Sequence, residues 1–226
     1  MKRRLVLFAK PPRSGEAKTR LAADIGPEAA SLVARALLAD TLALCEAVAA
    51  GAEGPPPELV LAYTDDRAYF EARVSDAWQL LPQDGADLGE RLQNALAALD
   101  PAPEDATVFI GMDAPHLPTE YLGRAFHALA ESGTVLGPCE DGGYYLVGVR
   151  GVWPGGVLAG VRWSTPHALA DTRAAFEKAG LTCATLPGWY DVDDSRSLRR
   201  LARDLDAMPP DALSHLRKTL LLGADS

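Results

Sequence analysis

The chain has 226 residues, 48% of them hydrophobic and 23% charged, so it is long enough to bury one substantial core. Its formal net charge of −9 argues against broad electrostatic binding to nucleic acid or to an anionic membrane surface. The sequence contains no apolar run of about 18 residues and no signal-peptide core, so we expect a cytoplasmic protein without membrane insertion.

We expect a single domain over residues 1–226, with its core at about 4–205 and a C-terminal helix and tail over 206–226. Buried apolar runs bounded by Gly and Pro predict the strands, which are residues 4–9, 58–63, 78–81, 107–111, 134–137, 144–149 and 182–186. Apolar residues at helical spacing predict the helices, which are residues 27–50, 66–73, 87–99, 118–131 and 166–179, with two more from Asp194 and Pro210.

Strands and helices therefore alternate along most of the chain. This pattern predicts an α/β fold, a three-layer sandwich with a mostly parallel sheet. Ligands of such folds bind in the crevice at the carboxyl ends of the strands, so polar motifs that follow strands are the first candidates for a site.

The loop after the first strand is unusually basic. Four of the chain's 22 basic residues fall within eleven positions, Lys10 to Arg20, where uniform scattering would put about one. Backbone N–H groups and cations in a Gly-containing loop suit a polyphosphate, so the predicted nucleotide-binding residues of the loop are Lys10, Arg13, Ser14, Gly15, Lys18 and Arg20. A solvated basic loop is the alternative.

A second motif joins the third strand to a helix. Gln83 and the loop backbone could contact a base or sugar, and Arg91, one turn into the helix, could neutralise phosphate. Asp87 belongs to the same predicted nucleotide-binding set, although a role as helix N-cap explains it equally well.

Asp113 lies just past a buried strand, between Gly111-Met112 and Ala114-Pro115. Nucleotide phosphate chemistry usually needs Mg²⁺ or Mn²⁺, and hard oxygen ligands such as Asp suit those ions. We therefore predict Asp113 to be a metal ligand; a turn residue that only accepts hydrogen bonds is the alternative. A functional role for the nearby His116 is a weaker prediction.

Two further motifs stay open between function and local structure. Asp141, Gly142, Gly143 and Tyr144 could contact a sugar or another acceptor, but Asp-Gly-Gly before a strand is also a hairpin turn. The run Asp191-Val192-Asp193-Asp194 crowds three carboxylates, which a shared cation would offset. Asp193 is the predicted second metal ligand, with Asp191 on the same side if the backbone is extended, whereas helix capping is the alternative for this run.

Other chemistries find little support in the sequence. Cys45, Cys139 and Cys183 are scattered and are interpreted as buried thiols, and the four histidines lack metal-ligand spacing. No Gly-x-Ser-x-Gly nucleophile motif occurs.

Five motifs together resemble a known family, and they are Phe8-Ala9-Lys10 through Arg20, Asp87-Leu88-Gly89, Gly111 to Pro115, Asp141 to Tyr145 and Asp191-Val192-Asp193. The family is the glycosyltransferase-A-like "transferase 1" family associated with radical-SAM and selenodomain proteins. It is similar to 2-phospho-L-lactate guanylyltransferase and, more distantly, to molybdenum-cofactor guanylyltransferases and sugar-phosphate nucleotidyltransferases.

The resemblance implies a nucleotide-diphospho-sugar-transferase fold of the GT-A-like kind, with Lys18 gripping the nucleotide and Asp113 binding Mg²⁺ or Mn²⁺ as the candidate catalytic pair. It also implies a metal-dependent nucleotidyl- or glycosyltransferase that acts on a nucleoside triphosphate or a nucleotide sugar and a small-molecule acceptor. The loop lacks the Gly-x-Gly-x-Arg opening of nucleotidyltransferases, so both reactions stay open, as does a non-catalytic nucleotide-binding accessory protein. Base, acceptor and oligomeric state are also open.

Overall fold

The computed structural model describes residues 1–224 of the chain. Within that range seven strands form one sheet, and they are β1 (Arg3–Ala9), β2 (Glu58–Tyr63), β3 (Trp78–Pro82), β4 (Ala106–Gly111), β5 (Thr134–Pro138), β6 (Tyr144–Arg150) and β7 (Cys183–Thr185). Their order across the sheet is β3-β2-β1-β4-β6-β5-β7, and β6 runs antiparallel to both of its neighbours while the other pairs are parallel.

This strand order fixes where a ligand crevice can form. The chain adds β2 and β3 on one side of β1 and then returns to place β4 on the other side. In open parallel sheets such a reversal leaves a crevice at the carboxyl ends of the two strands that flank it. The loops that follow β1 and β4 therefore lie next to each other, although their strands are about a hundred residues apart.

Helices cover both faces of the sheet, and those in residues 1–224 are α1 (Thr19–Ile25), α2 (Pro27–Ala50), α3 (Arg67–Glu71), α4 (Leu88–Leu99), α5 (Thr119–Glu131), α6 (Ala168–Lys178), α7 (Ser195–Asp204) and α8 (Ser214–Ala224). One apolar cluster joins the sheet to α2 and α5, and a second joins the opposite face to α4 and α6. The three-layer α/β architecture predicted from the sequence is confirmed. No helix in residues 1–224 is both long and apolar enough to cross a membrane.

The helix α1 was not predicted, and it ends at the left-handed Gly26 directly before α2. It is only seven residues long and buries a single side chain, Leu21, so its apolar periodicity is too short to be recognised. Its position follows from tertiary packing, because α1, α2, α7 and α8 share a third apolar cluster that includes Leu37, Leu201 and Leu216.

The C-terminal helix begins four residues later than the sequence predicts, at Ser214 instead of Pro210. Leu213 has a left-handed φ of 50°, which breaks the helix that the pattern extends back to Pro210. The buried Asp40 of α2 then accepts hydrogen bonds from the backbone N–H groups of His215 and Leu216 at 3.1 and 2.9 Å. Of the predicted tail, residues 225 and 226 lie outside the described part of the chain.

The loop between β5 and β6 is held by backbone contacts. The N–H of Cys139 donates to the carbonyl of Gly143, and the N–H of Leu169 donates to the carbonyl of Gly142. Gly142 has a φ of 87°, and a Cβ at this position would collide with the backbone of Pro166. Only glycine therefore fits where this loop packs against the start of α6.

We expect Gly142→Ala to lower the free energy of unfolding by about 2 kcal/mol or more, because it adds a backbone collision to the left-handed strain. The matched control is Gly180→Ala, at a glycine with a φ of 73° and open space around it. This control should cost about 1 kcal/mol, and urea denaturation measures both variants. Equal losses in the two variants would contradict the packing argument.

His116 lies in the turn between β4 and α5 and is buried, with 6% of its surface exposed. Its ring packs 4.2 Å from the ring of Tyr190 and 5.4 Å from that of Trp189. In the described part of the chain neither ring nitrogen has a hydrogen-bond partner, and burial lowers the pKa of His116 to about 4. The environment of His116 is that of a neutral packing residue, so the weaker prediction of a functional role gains no support.

A buried neutral histidine makes stability depend on pH. In the unfolded chain the His116 pKa returns to about 6.5, so between pH 6.5 and 4 the unfolded state binds a proton that the folded state does not. The free energy of unfolding should therefore fall by about 2 kcal/mol from pH 7.5 to pH 5 through this residue.

His116→Phe should remove this part of the pH dependence, as measured by urea denaturation at both pH values. Other titrating groups are the same in both proteins, so the difference between the two proteins isolates His116. His127→Gln changes an exposed histidine and should keep the wild-type dependence. If His116→Phe loses as much stability on acidification as the wild type, the prediction is wrong.

Candidate functional site

A cavity of about 730 Å³ lies at the carboxyl ends of β1, β2, β3 and β4. Residues after each of these strands line it, including Lys10, Asp65, Gln83 and Asp113, together with Ser164 and Asp193 from the second half of the chain. The volume lies within the range of small-molecule and cofactor sites. The crevice expected from the strand order is therefore present and is lined by charged side chains.

Lys18 enters this cavity from an unusual backbone position. It has a left-handed φ of 50° directly before α1, and its carbonyl accepts a hydrogen bond from the N–H of Ala22. The preceding Ala17 is buried, and the hydroxyl of Ser31 in α2 donates to the carbonyl of Pro12 at 2.9 Å. The loop is thus fixed to α2, and the Lys18 side chain is directed toward the carboxyl ends of the strands.

The ammonium of Lys18 bridges two carboxylates. Its Nζ lies 2.6 Å from Asp113 Oδ1 and 2.6 Å from Asp193 Oδ1. The Lys18 side chain is 7% exposed, whereas the two aspartates are 38% and 40% exposed. Burial alone would lower the pKa of Lys18, but Asp113 and Asp193 more than offset it and the pKa is raised. Lys18 is therefore a buried, charged side chain with two acidic partners.

A backbone contact joins the two acidic loops. The N–H of Val192 donates to the carbonyl of Asp113 at 2.9 Å, which holds the segment before α7 against the loop after β4. Asp194 then caps α7, accepting from the N–H of Ser197 at 2.7 Å. The capping alternative therefore holds for Asp194, while Asp193 is free of that role and faces Lys18.

Asp191 is the third carboxylate of the run. Burial and the nearby charges of Asp113 and Asp193 raise its pKa to about 7, while a hydrogen bond from the Cys139 thiol acts in the opposite direction. The segment is not a strand in the structure, so the alternation argument does not explain its orientation. The contact between Asp191 and Cys139 has no sequence signal, because 52 positions separate the two residues.

The oxygens of Asp113 and Asp193 suit a hard divalent cation. One oxygen of each carboxylate lies 2.6 Å from the Lys18 Nζ, so a cation is already held between the two carboxylates. No group of three or more His, Cys, Asp or Glu side chains in the described residues could hold a metal. Mg²⁺ and similar ions are commonly held by one or two carboxylates plus substrate phosphates, which is the donor set this pair would supply.

The structure divides the predicted nucleotide-binding residues into two groups. Lys10, Lys18, Arg20, Gln83 and Arg91 line the cavity. The other four do not line it, and they are Arg13, Ser14, Gly15 and Asp87.

Local contacts account for several of these positions. Arg13 lies 3.9 Å from Asp66, and Asp87 caps α4 by accepting from the N–H of Glu90. Gln83 donates to the carbonyls of Ala9 and Ala62, which ties its side chain to the ends of β1 and β2. The side chain of Gln83 is thus held in place by the strand ends where it lines the cavity.

The predicted acceptor residues Asp141, Gly142, Gly143 and Tyr144 do not line the cavity. Asp141 accepts a hydrogen bond from the N–H of Gly143 at 2.8 Å, which is the turn alternative. The Tyr144 ring packs edge-on against Trp163, and burial raises its pKa. The contacts that the structure shows for these residues are those of the turn and its packing.

The cavity is also lined by residues outside the predicted site set, including Glu16, Thr64, Asp65 and Ser164. Asp65 and Ser164 both have left-handed backbones, with φ of 61° and 58°. Thr64 and Asp65 directly follow β2, and this place in the sequence could have identified them. Ser164 is brought to the cavity by the long connection between β6 and α6.

Solved structures of other proteins share this fold. A provisionally named nucleotide-diphospho-sugar transferase from Desulfovibrio desulfuricans G20 matches with a TM-score of 0.84 at 28% identity, over 98% of this chain and 97% of that one. The manganese complex of Rv0371c from Mycobacterium tuberculosis H37Rv matches at 0.54 and 17% identity, over 90% and 99%. The predicted nucleotide-diphospho-sugar-transferase fold is confirmed.

A third match, lower in sequence identity, is CMP:2-keto-3-deoxy-manno-octonic acid synthetase in complex with CTP, with a TM-score of 0.56 at 12% identity over 92% of this chain and 100% of that one. No curated protein matches the sequence of this chain. A family model described as an uncharacterized protein conserved in bacteria, DUF2064, matches residues 44–165, which is more than half of the chain. The chain belongs to the DUF2064 family.

Proposed function

We propose that this protein is a divalent-metal-dependent nucleotidyltransferase that transfers a nucleoside monophosphate from a nucleoside triphosphate to a small-molecule acceptor. One observation carries the proposal: Lys18, Asp113 and Asp193 meet at one point on a cavity whose lining also includes Lys10, Arg20 and Arg91. Several cations for phosphate beside a carboxylate pair for a metal are what a triphosphate substrate requires.

The residues have distinct roles in this reaction. The basic side chains hold the triphosphate, and Asp113 and Asp193 hold Mg²⁺ or Mn²⁺, which when bound neutralises charge on the phosphate oxygens. An acceptor oxygen then attacks the α-phosphorus, the bond from that phosphorus to the oxygen bridging to the β-phosphorus breaks, and pyrophosphate leaves with the electron pair. Catalysis rests on positioning and charge neutralisation, since no nucleophilic side chain is needed.

The structural relatives support this reaction class without fixing the substrate. One of them holds CTP and another holds manganese, and both share the fold of this chain. Glycosyl transfer from a nucleotide sugar is the second candidate, favoured by the name of the Desulfovibrio relative. The finer resemblance to the "transferase 1" family and to 2-phospho-L-lactate guanylyltransferase stays a prediction.

A panel of ligands separates the candidates. Thermal unfolding is measured with ATP, GTP, CTP, UTP, UDP-glucose and GDP-mannose, each with and without Mn²⁺, because a ligand of the folded state raises the apparent stability. Nucleotidyl transfer predicts that a triphosphate with Mn²⁺ gives the largest stabilisation, whereas glycosyl transfer predicts a nucleotide sugar. No stabilisation by any of the six would overturn the proposal.

We expect Asp113→Asn to abolish most of the Mn²⁺-dependent stabilisation by the best triphosphate, since it removes one of two anionic ligands from the metal. In affinity terms the loss should be at least about tenfold, measured by calorimetric titration of the triphosphate in excess Mn²⁺. Asp76→Asn, at an exposed aspartate just before the amino end of β3, should bind as the wild type does. A triphosphate affinity of Asp113→Asn equal to that of Asp76→Asn would remove Asp113 from the metal site.

A second pair of variants tests the basic loop. Lys10→Ala removes a charge that lines the cavity, and Arg13→Ala removes one from the same loop that does not. We expect Lys10→Ala to weaken triphosphate binding by about threefold to tenfold, with a smaller slope of affinity against salt, and Arg13→Ala to change it by less than about twofold. The reverse order would place the phosphates outside this cavity.

A further inference from the structure

The ammonium of Lys18 occupies the position that a shared metal ion would need. Its Nζ is 2.6 Å from one oxygen of Asp113 and 2.6 Å from one oxygen of Asp193. A divalent ion held by the same two oxygens would have to lie between them, where the nitrogen now is. The ion and the ammonium cannot both occupy that point, so one excludes the other.

We propose that Lys18 is an internal competitor of the metal ion, which holds Asp113 and Asp193 until nucleotide phosphate draws its ammonium away. This inference rests on the proposed function, because it takes the two aspartates as metal ligands. It assigns Lys18 two alternative partners, the carboxylate pair in the nucleotide-free protein and phosphate in the loaded one. Metal and nucleotide therefore strengthen each other's binding.

The side chain of Lys18 can move while the backbone of the loop stays fixed. The Lys18 carbonyl is held by the N–H of Ala22, and the loop is anchored through Pro12 to Ser31. The four-carbon stem of lysine is flexible and its ammonium is a compact point charge, so the change of partner needs only rotations within the side chain. Both carboxylates line the same cavity as Lys18.

Electrostatics explains why the nucleotide-free protein needs this cation. Asp113 Oδ1 and Asp193 Oδ1 each lie 2.6 Å from the same Lys18 nitrogen, so the two carboxylates are close neighbours. Two carboxylates this close repel each other unless a positive charge lies between them. Without Lys18 the cluster should attract a metal ion directly.

The proposal is tested by titrating the nucleotide-free protein with Mn²⁺. The electron paramagnetic resonance signal of the unbound ion gives the Mn²⁺ affinity. Lys18→Met keeps the length of the side chain and removes its charge, and we expect it to bind Mn²⁺ at least about tenfold more tightly than the wild type. Arg13→Met removes a positive charge from the same loop but outside the cavity, and it should change Mn²⁺ affinity by no more than about twofold. Equal or weaker Mn²⁺ binding by Lys18→Met than by the wild type overturns the proposal.

A second measurement uses the unaltered protein, so it does not depend on the variant folding. Lysine amines are acetylated for short times with and without saturating Mn²⁺, and the modification at position 18 is quantified by mass spectrometry. We expect slow labelling of the enclosed Lys18 in the metal-free protein and at least about threefold faster labelling once Mn²⁺ displaces it. Unchanged labelling of Lys18 with Mn²⁺ bound overturns the competition.

The two proposals fail in different ways. If the wild type binds no triphosphate with Mn²⁺ while Lys18→Met binds Mn²⁺ more tightly, the nucleotidyltransferase proposal is overturned and the competition is supported. If the wild type binds a triphosphate with Mn²⁺ and Lys18→Met gains no Mn²⁺ affinity, the competition is overturned and the function is supported.

Discussion

The arrangement of the cavity depends on the pairing of one buried ammonium with two carboxylates, Lys18 with Asp113 and Asp193. The three side chains come from the loop after β1, the loop after β4 and the segment before α7. A buried lysine without an acidic partner would be strongly disfavoured, and so would aspartates crowded without a cation. The ion cluster therefore links three distant parts of the chain at one edge of the sheet.

The fold provides the geometry that brings these parts together. The reversal of strand order at β1 places the loops after β1 and β4 side by side, and the backbone bond from Val192 to Asp113 adds the third segment. The helices α1 and α7 share an apolar cluster, so the two segments that carry Lys18 and Asp193 are fixed by the same packing. Charge pairing and apolar packing thus stabilise one arrangement.

The motif-rich second half of the chain illustrates how one pattern fits two explanations. Asp141 and Gly142 looked equally suited to a ligand and to a turn, and their contacts are those of a turn packed against α6. Asp193 and Asp194 are adjacent in sequence, yet one faces Lys18 and the other caps a helix. Residue type restricts what a side chain can do, but the direction of its Cα–Cβ bond decides which partner it meets.

The sequence by itself determined the strands and most helices, because apolar periodicity and the Gly and Pro boundaries are local properties. It also indicated Asp113, since that residue follows a buried strand in a sheet of this class, and the resemblance to a known family implied Lys18 as its partner. Tertiary structure alone decided that Lys18 bridges Asp113 and Asp193, that Arg13 lies outside the cavity, and that Asp65 and Ser164 line it. These facts depend on contacts between residues far apart in the chain. They also depend on left-handed backbone at residues other than glycine, which the sequence does not reveal.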